Sequence, residues 1–310
     1  MTLVTVRVPA KVNLQLSVGP LRADGYHDLV TVFHAVSLFD EVTVSPASQT
    51  TVSVTGVDAA SVPAGRTNLA VRAVRALAAA CKPRPVSAEV QIVIRKRIPV
   101  AAGLAGGSAD AAAALVACNE LWQAGLAQAE LCEVAAGVGS DVPFALVGGT
   151  AVGQGRGERL TAALTSGTYH WVLAFASGGL STPEVYAACD RLRAGRPDGP
   201  GDGPPALDAE LMAALRSGDP ALVGALLSND LQAAAVSLRP DLRRALAAGR
   251  EYGALGAIVS GSGPTCIFLA ADARRARDLA VSLTGAGVCR SVAGVRGPVP
   301  GASVVAAERG

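Results

Sequence analysis

The segment AAGLAGGSADAAAALVACNELW, residues 101–122, constrains the chain more than any other. Gly103, Gly106 and Gly107 let the backbone turn tightly and approach a partner closely. The Ala/Leu run behind them reads as a helix whose small side chains allow close packing, and therefore as a buried one. In front of it, SAEVQIVIRKRIPV (87–100) reads as a long strand running to Pro99. A strand, a glycine turn and a buried helix in that order present several backbone N–H groups at a helix start, which is attractive for phosphate oxygens. An Ala-rich helix introduced by a flexible loop fits the same letters. The segment is neither a GxxxxGK[ST] loop nor a GxGxxG fingerprint, so phosphate binding here needs another geometry. Ser108 is placed to begin the helix, where it either caps it or reaches a phosphate or Mg²⁺; Asp110 reads as a first-turn partner of the helix dipole.

The remainder is mixed. LVTVRV (3–8), AKVNLQLSV (10–18), VTVFHAVS (30–37), DEVTVSP (40–46) and TTVSVTG (50–56) carry extended patterns, so the chain opens β-rich. Helical spacing follows over Asn68–Cys81, with Asn68 as N-cap, and again over 127–137. WVLAFAS (171–177) reads as a strand leading into a capped helix at STPEVYAACDRL, and GRPDGPGDGPP (195–205) as a flexible segment. Three helices near 207–216, 219–228 and 239–249 precede two strands around a glycine turn in GAIVSGSGPTCIFLA, then a helix in ARRARDLAVSLTGAG. The mixture predicts an α+β fold with a domain boundary near 155–170.

Apolar stretches are broken by Gly, Arg, Asp or Pro before reaching the roughly 20 residues that cross a bilayer. The formal charge of +2, with Arg interspersed among acids, gives no concentrated basic surface for nucleic acid. The six cysteines form no CxxC pair, and with three histidines they offer no metal cluster; buried thiols are the expectation. The N-terminus lacks the pattern of a secretory signal, which predicts a soluble cytoplasmic protein.

Lys11 and Asn13 in PAKVN have period-two spacing and share a face of an extended chain. Lys11 suits phosphate charge and Asn13 suits a hydroxyl; a surface lysine and a turn asparagine suit the spacing equally. Asp141, between a glycine turn and a Pro-containing helix start, either caps that helix or manages the proton of a phosphoryl acceptor. If it meets Lys11, the ion pair lowers its proton affinity. SGSGP at 260–264 lacks the GxSxG elbow, and His27, His34 and His170 all precede it, so Ser262 makes a poor hydrolase nucleophile.

Taken in order, PAKVN (9–13), GYHDL (25–29), PVAAGLAGGSADAA (99–112), GSDVPF (139–144), STPEVY (181–186) and SGSGPT (260–265) resemble the GHMP kinase superfamily. Within it they are most similar to the kinases of a cytidine-diphosphate-linked methylerythritol in the non-mevalonate isoprenoid pathway. The resemblance implies two domains: a ribosomal-protein S5 domain 2-like domain over 1–160 and an α/β sandwich over 161–310, with the active site between them. It implies ATP and Mg²⁺ as cofactors and a small-molecule acceptor phosphorylated at its C2 hydroxyl, giving the 2-phosphate and ADP. The phosphate loop falls on Pro99, Val100, Ala101, Ala102, Gly103, Leu104, Ala105, Gly106, Gly107, Ser108 and Ala109, with Asn68 on the nucleotide side. Lys11 would stabilise the transferring phosphate and Asp141 would deprotonate or orient the hydroxyl. Asn13 would hold the methylerythritol end, Tyr26 and His27 the cytidine end, with His27 hydrogen-bonding the base and Tyr186 stacking on it. Thr182, Gly261, Ser262 and Gly263 fall near the substrate. The metal ligands and the choice between a monomer and a weak homodimer are left open. Ala101, Ala102, Ala105 and Ala109 stand where relatives often carry Gly or Ser, which restricts the backbone and removes a hydroxyl but leaves the N–H donors. Another small-molecule kinase of the superfamily, and an inactive nucleotide- or protein-binding scaffold, are the alternatives.

Overall fold

The computed structural model describes residues 2–81, 86–195 and 203–308; most of the flexible segment expected at 195–205 lies outside them. The chain starts with two long antiparallel strands, β1 (Leu3–Leu21) and β2 (His27–Pro46). Each was expected as two pieces. The register shifts between Pro9 and Ala10 and again between Asn13 and Gln15, so the ladder crosses the proline as a bulge instead of ending there. β3 (Thr51–Gly56), α1 (Leu69–Ala80) and β4 (Val90–Lys96) follow. Asn68 caps α1 as expected, its Oδ1 accepting from the Ala70 N–H at 2.8 Å. β4 is shorter than the strand predicted over 87–100, because the N–H groups of Arg97 and Ile98 go to Asp40 Oδ1 (2.6 and 2.9 Å) instead of a neighbouring strand.

α2 (Gly106–Leu121) is the buried Ala-rich helix. Ala111 to Ala114 are fully enclosed, and methyl-sized side chains let the helix lie close to β1, β2 and α1. α3 (Gln128–Val138), α4 (Val142–Val147), β5 (Thr150–Gly155) and β6 (Arg159–Ala162) complete the first half. The sequence reading missed both strands, whose glycines and charges mask any alternation. β7 (Tyr169–Phe175) and α5 (Thr182–Ala194) come next. They lead to α6 (Ala209–Ser217), α7 (Pro220–Ala225), the two-residue β8 (Ser228–Asn229), α8 (Gln232–Leu238) and α9 (Asp241–Glu251). β9 (Gly256–Val259), β10 (Cys266–Ala270), α10 (Ala273–Gly285), β11 (Ser291–Gly297) and β12 (Ser303–Glu308) end the chain.

The strands form two sheets. The larger runs β12-β1-β2-β4-β3, with β5 on β2, β6 beyond β5, and β8 on β1; the smaller is the antiparallel β11-β7-β10-β9. The last strand thus returns to the edge of the first sheet. At the junction of the sheets His34, Tyr169 and Trp171 pack ring against ring, with centroids 5.8 to 6.5 Å apart. Cys81, Cys118, Cys189 and Cys266 are buried thiols, as expected. No helix among the described residues is long and apolar enough to cross a membrane.

Candidate active site

Lys11 and Asn13 lie side by side on β1 with their heads in a cavity of about 320 Å³. The Lys11 ammonium donates to Asn13 Oδ1 at 2.7 Å; Asn13 Nδ2 donates to Thr31 Oγ1 at 2.7 Å, and the Thr31 hydroxyl donates to the Gln15 carbonyl at 2.7 Å. This relay fixes the lysine's position through three buried side chains. Asp141 Oδ2 stands 3.8 Å from the ammonium, so the two residues that met only conditionally in the sequence do meet. Asp141 occupies the N-cap position of α4 yet makes no capping hydrogen bond, which leaves its carboxylate free to face the cavity. Burial lowers the Lys11 pKa, with the attraction of Asp141 working against that shift.

The glycine loop closes the same cavity. Ala101, Ala102, Gly103, Ala105, Gly106, Gly107 and Ser108 line it, together with Gly261, Ser262, Thr182 and Tyr186. α2 starts at Gly106, two residues earlier than Ser108, and its cap is Ala105 in the left-handed region (φ 57°, ψ 34°). Ser108 is therefore inside the first turn, with its hydroxyl available to a ligand. The remaining loop positions do not line this cavity. Leu104 and Ala109 are buried, and Pro99 and Val100 border a separate space of about 200 Å³ beside Asp58 and Arg290. Asn68 is spent as a cap, its Nδ2 bound to the Pro63 carbonyl. Asp110 is no surface dipole partner: it is buried and bonded to Lys96 at 2.9 Å, and burial pushes its carboxyl up to about 8 against the pull of Lys96.

The loop is braced by the second glycine turn. Gly103 has φ +76°, and a Cβ there would overlap the Ser260 carbonyl, whose own hydroxyl donates to the Gly103 carbonyl at 3.1 Å. A side chain on Gly261 (φ +54°) would begin 3.3 Å from the Lys11 ammonium, so glycine lets the turn close over the lysine. Gly263 supports this turn without lining the cavity.

A second cavity of about 660 Å³ adjoins the first, sharing Leu29, Ser140, Arg156, Thr182 and Tyr186 with it. Tyr26 and His27 line it. The buried His27 Nε2 lies 2.9 Å from Asp190 Oδ1, and its ring sits 5.1 Å from that of Tyr186. Tyr186 and Asp190 are one helical turn apart on α5, so a single helix face holds the histidine. Tyr26 is half exposed, with the Arg156 guanidinium 5.2 Å from its ring centre. Thr182 Oγ1 pairs with Ser262 Oγ at 2.9 Å and links α5 to the glycine turn. Thr31, Arg72, Arg156 and Asp190 are the lining or supporting residues that sequence reasoning missed. Only Asp190 left a signal, its i+4 spacing from Tyr186.

The family of the chain follows from residues on both sides of this cleft. Residues 68–149 match the family model for the GHMP kinases N terminal domain and residues 211–288 that for the GHMP kinases C terminal. The chain belongs to the GHMP kinase superfamily. Among GHMP kinases, it is 60% identical over 306 residues to the 4-diphosphocytidyl-2-C-methyl-D-erythritol kinase of Nocardia farcinica, covering 98% of this chain and 97% of the relative. Its identity to the enzyme of that name from Thermobifida fusca is 56% over 312 residues, covering 98% and 99%. A crystal structure of 4-(cytidine 5'-diphospho)-2C-methyl-D-erythritol kinase superposes with a TM-score of 0.74 at 34% identity, covering 94% of this chain and 98% of that one. Homoserine kinase from Cytophaga hutchinsonii shares the GHMP fold at 18% identity and a TM-score of 0.71, covering 98% and 97%.

Proposed function

We propose that the chain transfers the γ-phosphoryl group of ATP to the C2 hydroxyl of 4-diphosphocytidyl-2-C-methyl-D-erythritol. The observation that carries this reading is the continuity of the two cavities: Thr182 and Tyr186 line both the Lys11/Asp141 cleft and the His27 chamber. One molecule can thus present a reactive hydroxyl to Asp141 and a flat base to Tyr186 and His27. A short acceptor such as mevalonate or homoserine would leave the aromatic chamber unused.

The loop side fits a nucleotide's phosphates, since Gly106 and Gly107 open a helix start onto the cavity and Ser108 adds a hydroxyl. Mg²⁺ usually takes one or two protein oxygens and fills its shell with phosphates and water. The Ser108 hydroxyl would offer Mg²⁺ one protein oxygen beside the nucleotide's phosphates, and the ion would supply neutralisation of phosphate charge. Lys11 stabilises the charge that spreads over the transferring group, strengthened by its dry surroundings. Asp141 takes the proton of the C2 hydroxyl as its oxygen bonds to the γ-phosphorus and the bond to the β-phosphate oxygen breaks, releasing ADP. Asn13 orients the acceptor's tetritol end. Arg156, on the border of the cavities, and Arg72, in the second, suit the acceptor's diphosphate. Residues 1–160 form the nucleotide-holding part and 161–310 supply α5 and the second glycine turn.

Incubating the purified protein with ATP, Mg²⁺ and each of the cytidylyl acceptor, mevalonate and homoserine tests the reading. Phosphorus NMR is expected to show a new phosphomonoester with the cytidylyl acceptor only. Turnover of mevalonate or homoserine in preference would overturn it.

A further inference from the structure

Below the loop, three ionisable side chains are sealed from solvent: Asp40 on β2, Lys96 at the end of β4 and Asp110 near the start of α2 are each no more than 3% exposed. The Lys96 ammonium donates to Asp40 Oδ2 at 2.6 Å and to Asp110 Oδ2 at 2.9 Å. The other oxygen of Asp40 accepts the N–H groups of Arg97 and Ile98, the last residues before the loop. The same ammonium lies 3.0 Å from where a Gly106 Cβ would start, at the residue where the loop becomes α2. The point of entry and the point of exit of residues 99–105 are therefore tied to one buried network.

Stability alone gives little reason for such an arrangement. Buried ion pairs lose in desolvation much of what they gain in attraction, and apolar replacements of equal volume are often as stable or more so. Asp110 Oδ1, moreover, is buried without a hydrogen-bond partner, a cost that a purely structural site would avoid. What the network provides is a fixed separation between the two ends of the loop.

We propose that Asp40, Lys96 and Asp110 are positioning residues for the nucleotide, holding the glycine loop at the span that its phosphate-binding N–H groups require. The proposal rests on the reading of residues 99–109 as the phosphate loop. It makes these residues determinants of ATP affinity though none of them lines the cavity.

The test is calorimetric titration of full-length variants with a non-hydrolysable ATP analogue and, separately, with the cytidylyl acceptor. The triple variant D40N/K96M/D110L keeps an acceptor for the Arg97 and Ile98 N–H groups and removes all three ionisable groups. It is expected to fold, to bind the analogue at least about tenfold more weakly, as misplacement of positioned groups does, and to bind the acceptor within about twofold of the parent. The milder D110N, which preserves volume and an acceptor for Lys96, is expected to lie between them and decides the matter if the triple variant does not fold. Unchanged analogue binding by a folded variant, or equal weakening of both ligands, overturns the proposal. G107D serves as the control for the loop itself, because a side chain there meets only ordinary contact with Leu69. Its carboxylate is expected to abolish analogue binding and spare the acceptor. Intact analogue binding by G107D would overturn the phosphate-loop reading, and the positioning role with it, whereas its loss beside intact D110N binding overturns the positioning role alone.

Discussion

Replacing Ala105 by glycine is expected to stabilise the protein, although glycine normally weakens what it replaces. Ala105 sits at φ 57°, ψ 34° as the cap of α2. That conformation costs an L-residue with a Cβ about 1–2 kcal/mol. Glycine removes the cost and returns roughly 0.4–1 kcal/mol to the unfolded chain as extra entropy. The methyl is half-buried in the cavity wall and contributes little packing. The net expectation for A105G is therefore about 0.5–1 kcal/mol of added stability. The same exchange at Ala109, a buried position inside α2, must go the other way, by about 1 kcal/mol from helix propensity alone. Ala101 (φ 52°) is the intermediate case, because its methyl lies against Gly179 and A101G gives up that contact. Urea unfolding of the three variants, compared at a common m-value, reads the differences directly. A105G lowering the midpoint, or A105G and A109G moving it in the same direction, would refute the argument that this loop holds alanine in a glycine conformation.

Four further outcomes follow from the site and its supports. D141N is expected to lower kcat by about 10²–10⁴-fold while analogue binding persists; a folded D141N protein with full turnover would remove Asp141 from the chemistry. K11A should be comparably impaired, and because burial lowers the Lys11 pKa from 10.5, activity should fall on the alkaline side at a lower pH than a solvated lysine would dictate, as followed by kcat/KM against pH. D190N is expected to raise KM for the cytidylyl acceptor several-fold and leave KM for ATP unchanged, since Asp190 bonds His27 and lines the second cavity but not the loop cavity; a change in the ATP constant alone would contradict the assignment of the second cavity to the acceptor. Burial depresses His34 from 6.5 to about 3, so below pH 6.5 the unfolded chain takes up a proton that the folded chain refuses, and stability is lost as pH falls toward 3. At about 1.4 kcal/mol per pH unit, the parent should lose about 2 kcal/mol more than H34N between pH 6.5 and 5, measured by urea midpoints at both values.

The part of the candidate site whose residues are local in sequence was legible from spacing, while Asp141, Tyr26, His27, Thr182, Tyr186 and the second glycine turn joined it through the family resemblance. Lys11 and Asn13 share a strand face, and Gly103, Gly106, Gly107 and Ser108 share one turn, so spacing alone grouped them. What failed were judgements that depend on partners distant in the chain. Asp110 looked like a solvent-facing helix-start acid because nothing near it in sequence names Asp40 or Lys96 as neighbours. β4 was drawn too long for the same reason: β-branched residues continue to Val100, but Asp40, 57 residues before Arg97, takes the N–H groups that would have extended the ladder. Arg156 stood in a glycine-rich stretch with no pattern of its own, and only the pairing of β5 with β2 brings it to the cleft.

In the proposed reaction, a division of labour between elements explains how a chain of so little net charge can handle two polyanionic groups, the nucleotide's triphosphate and the acceptor's diphosphate. A net charge of +2 leaves no broad positive field to attract phosphate. The nucleotide side uses backbone N–H groups, which carry no net charge and need no counter-ion, and whose direction is set by the loop's two anchored ends. In the proposed reaction the acceptor side uses β2, which pairs with the strand leading into the loop, and α5, which follows the second sheet's β7. Lys11 and Asp141 stand in the first cavity, 3.8 Å apart and largely withdrawn from water, and the second cavity adjoins it through Leu29, Ser140, Arg156, Thr182 and Tyr186. A single ammonium in that position acts in a medium of lower dielectric than the surface, where its attraction for a developing phosphate charge is several times stronger than in bulk water. Adding cations to the outer surface would raise nonspecific anion binding without strengthening the transfer step, because their field is screened within about 10 Å at ordinary ionic strength. The proposed chemistry therefore depends on how accurately one lysine is held, and the hydrogen bonds from its ammonium to Asn13 and from Asn13 to Thr31 are what hold it.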